Sequence, residues 1–327
     1  MRRLSAREGV FPLANPFTIS RGTYTTSPVI EAVIEADGVT GRGESFPYPR
    51  YGESMESVLA QIASVAEAVA GGAGRMALQG LLPAGAARNA VDCAFWDLEA
   101  KQAGKRVWEL AGLAAPPVLT TAYTLSSGSP ADMGAAAGEH AWRPVLKLKL
   151  MGDGDDETRV AAVRAAAPKA RLIVDANEGA SADDVEALCH ALAKHGVDLI
   201  EQPVAAGDDA CLAEFAHPVP LCADESFHDR SSFDSVAGRY EFINIKLDKT
   251  GGLTEALAVA AEAKQRGLRI MTGCMRGTSL AMAPATLIAA MSEVVDIDGP
   301  LLLAEDRDHA MTYRGSEVEP PSPALWG

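Results

Sequence analysis

Nowhere in this chain do about 18 apolar residues follow one another, the length a helix needs to cross a bilayer, so no membrane span is expected. Cysteine is scarce: Cys93, Cys189, Cys211, Cys222 and Cys274 are scattered and form no C-x-x-C pair. That excludes the usual zinc-ribbon spacing and fits free thiols in a reducing compartment. Basic residues are in deficit, 29 Lys and Arg against 44 Asp and Glu, for a formal net charge of -15. Such a chain repels a phosphate backbone, and no Lys/Arg cluster opposes the repulsion, so nucleic acid is not expected as a partner. The opening MRRLSAREGVFPLANPF has Arg2 and Arg3 but no apolar run behind them, unlike a secretory leader, and a cytoplasmic location is expected.

What the chain does have is apolar material: 48% of its 327 residues are hydrophobic, enough for about two domains of ~150 residues. Residues 28–45, PVIEAVIEADGVTGRGES, read as a hairpin around Asp37-Gly38. Helical spacing follows over 53–70 and 84–103, with Gly104 as a stop. Strands followed by helices predict an α+β first domain, residues 1–116. Beyond Pro116-Pro117 the pattern changes to eight short β-like runs, each followed by an Ala-rich amphipathic segment: VLTTAYT, PVLKLKL, RLIVDA, VDLIEQP, VPLCADE, EFINIKL, LRIMTG and SEVVDID. Lys149, Asp175, Glu201, Asp224, Lys246, Thr272 and Asp298 end seven of these runs, 22 to 26 residues apart. The alternation also permits a doubly wound open sheet, but only a (β/α) barrel gathers seven strand ends at one mouth, so a barrel over 117–300 is expected. The final segment, 301–327, is too short for another unit and is expected to return to the first domain.

Asp175, Glu201 and Asp224 end three consecutive apolar strands. A buried carboxylate left unpaired costs several kcal/mol. Any one of them alone is better read as a helix cap or an ion pair; three on successive strands point to a cation. An all-oxygen set without His or Cys suits a hard ion such as Mg²⁺. Asn177, two residues past Asp175, is placed to support the first ligand if the strand persists. Lys147 and Lys149 alternate with leucines in VLKLKL, so both ammonium groups share the interior face. Lys246 in FINIKLDK lies roughly across the barrel from Lys149. Cations on both sides of a metal site suit removal of a proton from one face of a carbon and its return to the other. The hydrogen α to a carboxylate is weakly acidic, and its loss builds charge that a divalent ion stabilises as a Lewis acid. A lysine base needs a pKa brought toward neutrality, a shift that neighbouring cations favour.

These residues resemble the enolase superfamily, in its muconate-lactonising subgroup and, within that, the dipeptide epimerases. The similarity spans nearly the whole chain. It rests on the K-x-K of Lys147 and Lys149, D-A-N at 175–177, E-Q-P at 201–203, A-D-E-S at 223–226 and N-I-K-L-D-K-T-G-G at 244–252. The resemblance implies a (β/α)₇β barrel with a capping domain formed from both termini. It implies one Mg²⁺ per subunit on Asp175, Glu201 and Asp224, with Asn177 and Glu225 behind them. Lys149 and Lys246 become the acid/base pair, with Lys147 touching the substrate carboxylate. Asp296 and Asp298, in the eighth run, would receive an α-ammonium, and Thr124 and Cys274 would line the dipeptide pocket. S-R-G-T-Y at 20–24 and Y-P-R-Y-G-E-S at 48–54 resemble loops that close over the site, and Arg21 offers bidentate donors for a glutamate side chain. The implied activity is epimerisation of L-Ala-D/L-Glu through an enediolate, in murein peptide recycling. Cycloisomerisation of muconate, or dehydration to o-succinylbenzoate, stays open on the same scaffold, as does a non-catalytic metal-stabilised binder, though a binder needs neither lysine. A homo-oligomer also stays open. Two departures bear on the preferred dipeptide: Ala180 stands where Trp is expected, and Arg276 where an uncharged residue is usual.

Overall fold

A computed structural model describes residues 2–327. Three antiparallel strands come first, β1 (Arg3–Ile19), β2 (Gly22–Ala36) and β3 (Val39–Ser45), in the order β1-β2-β3. The expected hairpin over 28–45 is therefore the second half of a longer meander. Most of β1 and the start of β2 is exposed or half-buried, so those residues carry no clean apolar alternation to announce a strand. Four helices follow, α1 (Met55–Ser64), α2 (Ala66–Ala70), α3 (Arg75–Leu81) and α4 (Ala86–Ala103); α1, α2 and α4 pack on the sheet, and α3 packs against α4. The predicted helix over 53–70 is divided at Val65. Its start is fixed by Ser54, whose hydroxyl accepts from the Ser57 amide at 3.0 Å while Ser57 Oγ accepts from the Ser54 amide at 2.9 Å. α4 ends where foreseen, at Gly104 in the left-handed conformation.

The remaining elements are α5 (Val107–Leu110), β4 (Leu119–Thr120), β5 (Tyr123–Leu125), α6 (Pro130–Glu139), β6 (Val145–Lys149), α7 (Asp156–Ala166), β7 (Arg171–Asp175), α8 (Val185–Ala193), β8 (Val197–Glu201) and β9 (Leu221–Ala223). They continue with α9 (Phe233–Val236), β10 (Phe242–Ile245), α10 (Leu247–Thr250), α11 (Leu253–Gln265), β11 (Arg269–Thr272), α12 (Ser279–Ala289), β12 (Val294–Val295), β13 (Tyr313–Arg314) and β14 (Glu317–Val318). Strands β5 to β12 form one curled parallel sheet in sequence order. Its outer members approach each other, and the Ala122 amide beside β5 donates to the Val295 carbonyl of β12 at 2.8 Å. The curl separates two apolar layers. Ala122, Ile173, Leu199, Cys222, Phe242, Met271 and Val294 fill the inside, while a larger cluster lies between the sheet and its helices. Strands buried on both faces explain why these runs read as nearly continuous apolar stretches. Between β8 and β9 the connection is only a 3₁₀ turn, Asp209–Glu214.

The tail reaches back across the molecule. Leu303 bridges to Leu13, and the Ala304 amide donates to the Pro12 carbonyl at 2.9 Å. Trp326 is buried and donates from Nε1 to the Cys93 carbonyl at 3.1 Å. α4 in turn grips the D-K-T-G-G segment beyond β10. Arg88 donates to the carbonyls of Thr250 at 2.7 Å and Gly251 at 3.1 Å, and Asp92 Oδ2 accepts from the Thr254 amide at 2.9 Å. Gly251 and Gly252 have φ of 75° and 109°, and a Cβ on either would collide with Arg88 or Asp92. Among the described residues, no helix is long and apolar enough to cross a membrane.

Candidate active site

The C-terminal ends of the parallel strands bring the predicted polar residues together. Lys147 and Lys149 project from the same face of β6, as their alternation requires. Lys149 Nζ lies 2.5 Å from Asp175 Oδ2. Lys147 Nζ sits 2.6 Å from Glu201 Oε2, 2.8 Å from Asp296 Oδ2 and 3.3 Å from Asp175 Oδ2. Across the mouth, Lys246 Nζ lies 2.6 Å from Asp224 Oδ2 and 3.9 Å from Glu201 Oε1. Lys149 and Lys246 thus approach the carboxylate set from opposite ends, with β7, β8 and β9 between their strands.

All three carboxylates are buried, and their charges are set by the lysines they face. For Asp175, burial pushes the pKa up but Lys149 and Lys147 outweigh it, bringing it down to about 2. Asp224 is held well below its ordinary value, burial being overcome by Lys246 and Lys249. Glu201 goes the other way: burial and the adjacent Asp175 charge raise it to about 7. Burial pulls Lys147 and Lys246 down, but their carboxylate neighbours hold both well above the usual lysine value. For Lys246 that direction is set by Asp224 and Glu201, while Lys147 pulls it the other way; the lowering a base needs is expected from Lys147 together with the divalent ion.

Among the described residues, no three His, Cys, Asp or Glu side chains converge as a ready metal cage. The carboxylates turn toward ammonium groups instead. Their chemistry still fits a hard divalent ion, as three buried oxygen donors on consecutive strands with no soft ligand among them. Glu201 carries the clearest sign. Its Oε2 is buried without an aligned hydrogen bond, although the Lys147 ammonium is close, and its charge is disfavoured without a further cation. Asn177 supports Asp175 differently from the expectation. The strand stops at Asp175, Asn177 takes φ of 45°, and its backbone amide donates to Asp175 Oδ1 at 3.0 Å. Glu178 and Gln202, with φ of 67° and 37°, share this left-handed strain at the ends of β7 and β8.

The same pocket is lined by Thr124, Cys274, Asp296, Asp298, Arg21 and Arg276. Asp296 and Asp298 lie past the end of β12 at Val295, so it is the following turn that directs them inward. Asp298 Oδ2 accepts from the Thr124 amide at 2.7 Å, and burial with the neighbouring Asp296 charge pushes its pKa up to about 7. Thr272 stands apart, its hydroxyl bonded to Ser292 Oγ at 2.7 Å. Arg21 reaches the rim and lies 2.6 Å from Glu178 and 2.8 Å from Glu225, with Tyr48 Oη at 3.1 Å. Arg50 pairs with Glu178 at 2.8 Å, so both resembled loops converge on one carboxylate.

Four residues of this network escape a reading confined to strand ends. Lys249 contacts Asp224 directly, Asn244 donates to Glu201 Oε1 at 2.7 Å, and Glu178 ties the two loops. Gln202 accepts the amides of Asp224 and Ser226 at 2.9 and 3.0 Å, fixing the turn after β9. Lys249, Asn244 and Gln202 lie inside the quoted motifs, which was the available signal.

Comparison with known proteins adds a second line. Residues 1–112 match the family described as mandelate racemase / muconate lactonizing enzyme, N-terminal domain, and residues 132–322 match the enolase C-terminal domain-like family. The chain is 46% identical to the L-Ala-D/L-Glu epimerase of Escherichia coli K12, over 97% of this chain and 99% of that one. It is 44% identical to an N-acetyl-D-glutamate racemase of Pseudoalteromonas, over 91% of this chain and 95% of the other. A crystal structure from Agrobacterium tumefaciens, of an enolase family member with homology to dipeptide epimerases, holds sodium and L-Ala-L-Glu. It superposes with a TM-score of 0.97 at 53% identity, covering 100% of both chains. A dipeptide epimerase from Enterococcus faecalis, complexed with Mg and L-Leu-L-Tyr, gives 0.90 at 27% identity, covering 97% of this chain and 98% of that one.

Proposed function

This chain belongs to the mandelate racemase and muconate lactonizing enzyme family, within the enolase superfamily, and from that premise we propose that it is a Mg²⁺-dependent isomerase that epimerises the C-terminal residue of L-Ala-D/L-Glu. The observation that carries the proposal is the placement of Lys149 and Lys246 at opposite ends of one buried carboxylate set. On this reading Lys149 and Lys246 exchange the α-proton on opposite faces of the substrate carbon. Asp175, Glu201 and Asp224 hold the ion, whose chemistry when bound is Lewis-acid stabilisation of the charge that develops on the substrate carboxylate. Lys147, kept protonated by its three acidic neighbours, adds a fixed positive charge beside that carboxylate. Asp296 and Asp298 receive the α-ammonium, with Thr124 and Cys274 against the peptide. Cycloisomerase or synthase chemistry gives the Asp pair no ammonium to meet.

A (β/α)₇β barrel over 117–300, capped by 1–116 and 301–327, is the architecture that goes with this chemistry. A cytoplasmic place in the recycling of cell-wall peptides follows from the same reading.

One observation favours a second reading, racemisation of an N-acylated glutamate. Burial and the adjacent Asp296 charge push the Asp298 carboxyl up to about 7, toward the neutral form, and a neutral carboxyl can donate to an acyl oxygen where a charged one accepts from an ammonium. ¹H NMR in D₂O with Mg²⁺ separates the two. Loss of the glutamate α-proton signal in L-Ala-L-Glu, with the other diastereomer appearing, is the expected result; exchange confined to N-acetylglutamate selects the second reading.

A further inference from the structure

Arg276 lies in the turn after β11 and lines the active-site pocket, yet among the described residues it has no carboxylate at ion-pair distance. Most other arginines of the interior are committed; Arg143, stacked on Tyr123 and Trp142, also has no carboxylate partner among the described residues but lies outside this pocket. Arg307 pairs with Glu31 and Glu44, Arg159 with Asp153 and Asp156, Arg88 with backbone carbonyls, and Arg21 with Glu178 and Glu225. What Arg276 has instead is aromatic support. Its guanidinium carbon sits 3.6 Å from the Tyr24 ring centroid and 5.1 Å from that of Phe46. A guanidinium on an aromatic face keeps its planar fork of N–H donors available at the edge. The main chain that carries it is pinned. Ser27 Oγ donates to the Arg276 carbonyl at 3.0 Å, and the Thr278 amide donates to buried Glu44 at 2.8 Å. Burial lowers the pKa of Arg276, the direction expected for a cation short of an anionic partner.

The pocket thus holds two arginines in different states. Arg21 is neutralised by two glutamates and ties the cap loop to the barrel rim. Arg276 is fixed in place, half-buried and uncommitted. We infer that Arg276 is the specificity-determining residue that receives a second carboxylate of the substrate, the side chain of the residue being epimerised, while Arg21 positions the loop. The inference rests on the dipeptide reading above and names the residue that would give it a preference for an acidic reacting residue. It reassigns the role that the resemblance led us to expect of Arg21.

The test compares L-Ala-L-Glu with its neutral isostere L-Ala-L-Gln, by α-proton exchange in D₂O, for the wild type, Arg276→Met, Arg276→Lys and Arg21→Met. In the wild type, kcat/KM favours the glutamate peptide. Arg276→Met lowers kcat/KM for it by about 10- to 100-fold, mostly through KM, and leaves the glutamine peptide within a few-fold. Arg276→Lys keeps part of the preference, and supplies the reading if the Met variant does not fold. Arg21→Met lowers both peptides in parallel. Parallel losses in Arg276→Met, or an unchanged Glu/Gln ratio in either Arg276 variant, overturn the assignment while leaving the epimerase reading intact. If the wild type exchanges neither peptide, the epimerase reading itself falls and this inference falls with it.

Discussion

Lys249 holds Asp224 twice: its fully buried ammonium lies 2.5 Å from Oδ1 and 2.6 Å from the residue's own carbonyl oxygen. Lys246 takes the other carboxylate oxygen. Asp224 is therefore oriented by two lysines three residues apart, one at the N-terminal boundary of α10 and one within it. Only the first faces the substrate pocket. Replacing Lys249 with Met leaves Asp224 buried with half its support gone. We expect Mg²⁺ affinity to fall by about 10- to 100-fold, the usual scale for losing a residue that orients a metal ligand. Calorimetric Mg²⁺ titration checks this directly, and unchanged affinity rules the role out.

Lys149→Ala and Lys246→Ala each remove one face of the proton transfer. Epimerisation falls by about 10²- to 10⁴-fold in either variant, with the circular dichroism spectrum preserved. Full activity in one of them excludes that lysine from the chemistry.

Chelation bears on the carboxylates as a group. EDTA abolishes turnover and added Mg²⁺ restores it, because on this reading the ion held by Asp175, Glu201 and Asp224 supplies the Lewis-acid stabilisation of the charge that proton removal builds. Turnover persisting in excess chelator contradicts the metal assignment.

A pH dependence of stability follows from Asp92 on α4, which burial raises to about 6. Below its ordinary unfolded value of about 3.9 it is neutral in both states and carries no penalty. As pH rises from there through about 6, the unfolded chain gives up the proton first, so this group makes stability fall with rising pH across that window. Asp92→Asn removes that component, and the Gln79 side chain, whose buried Oε1 lacks a partner, can turn to accept from the new amide. Urea midpoints from pH 4 to 7 test it: wild type minus variant should decline across the interval, and parallel curves refute the assignment.

The strand ends were legible because burial on both faces writes a β/α unit as an apolar run with one polar residue at its mouth, as in RLIVDA and VDLIEQP. Repetition at a near-constant interval did the rest. The long β1–β2 ribbon was not legible: its side chains face solvent along most of its length, and a solvated strand has no apolar period to detect. The ion-pair wiring was only half legible. K-x-K and the three acids were visible as types, but a sequence cannot state that Lys149 faces Asp175 while Lys147 spans Glu201 and Asp296, since that depends on how far each strand extends before it turns. Arg21 shows the same limit, because its partners are 157 and 204 residues away.

The grip of α4 on Gly251 and Gly252 has a consequence for how this architecture can be recombined. The helix that carries Arg88 and Asp92 holds the C-terminal side of the turn bearing Lys246 and Lys249, at Thr250, Gly251 and Thr254, and the two glycines are shaped to those two side chains. A chimera that transplants the N-terminal segment of one relative onto the sheet of another must carry matching residues at these four positions. Otherwise the graft exchanges more than a lid: it leaves the lysine-bearing turn without its clasp.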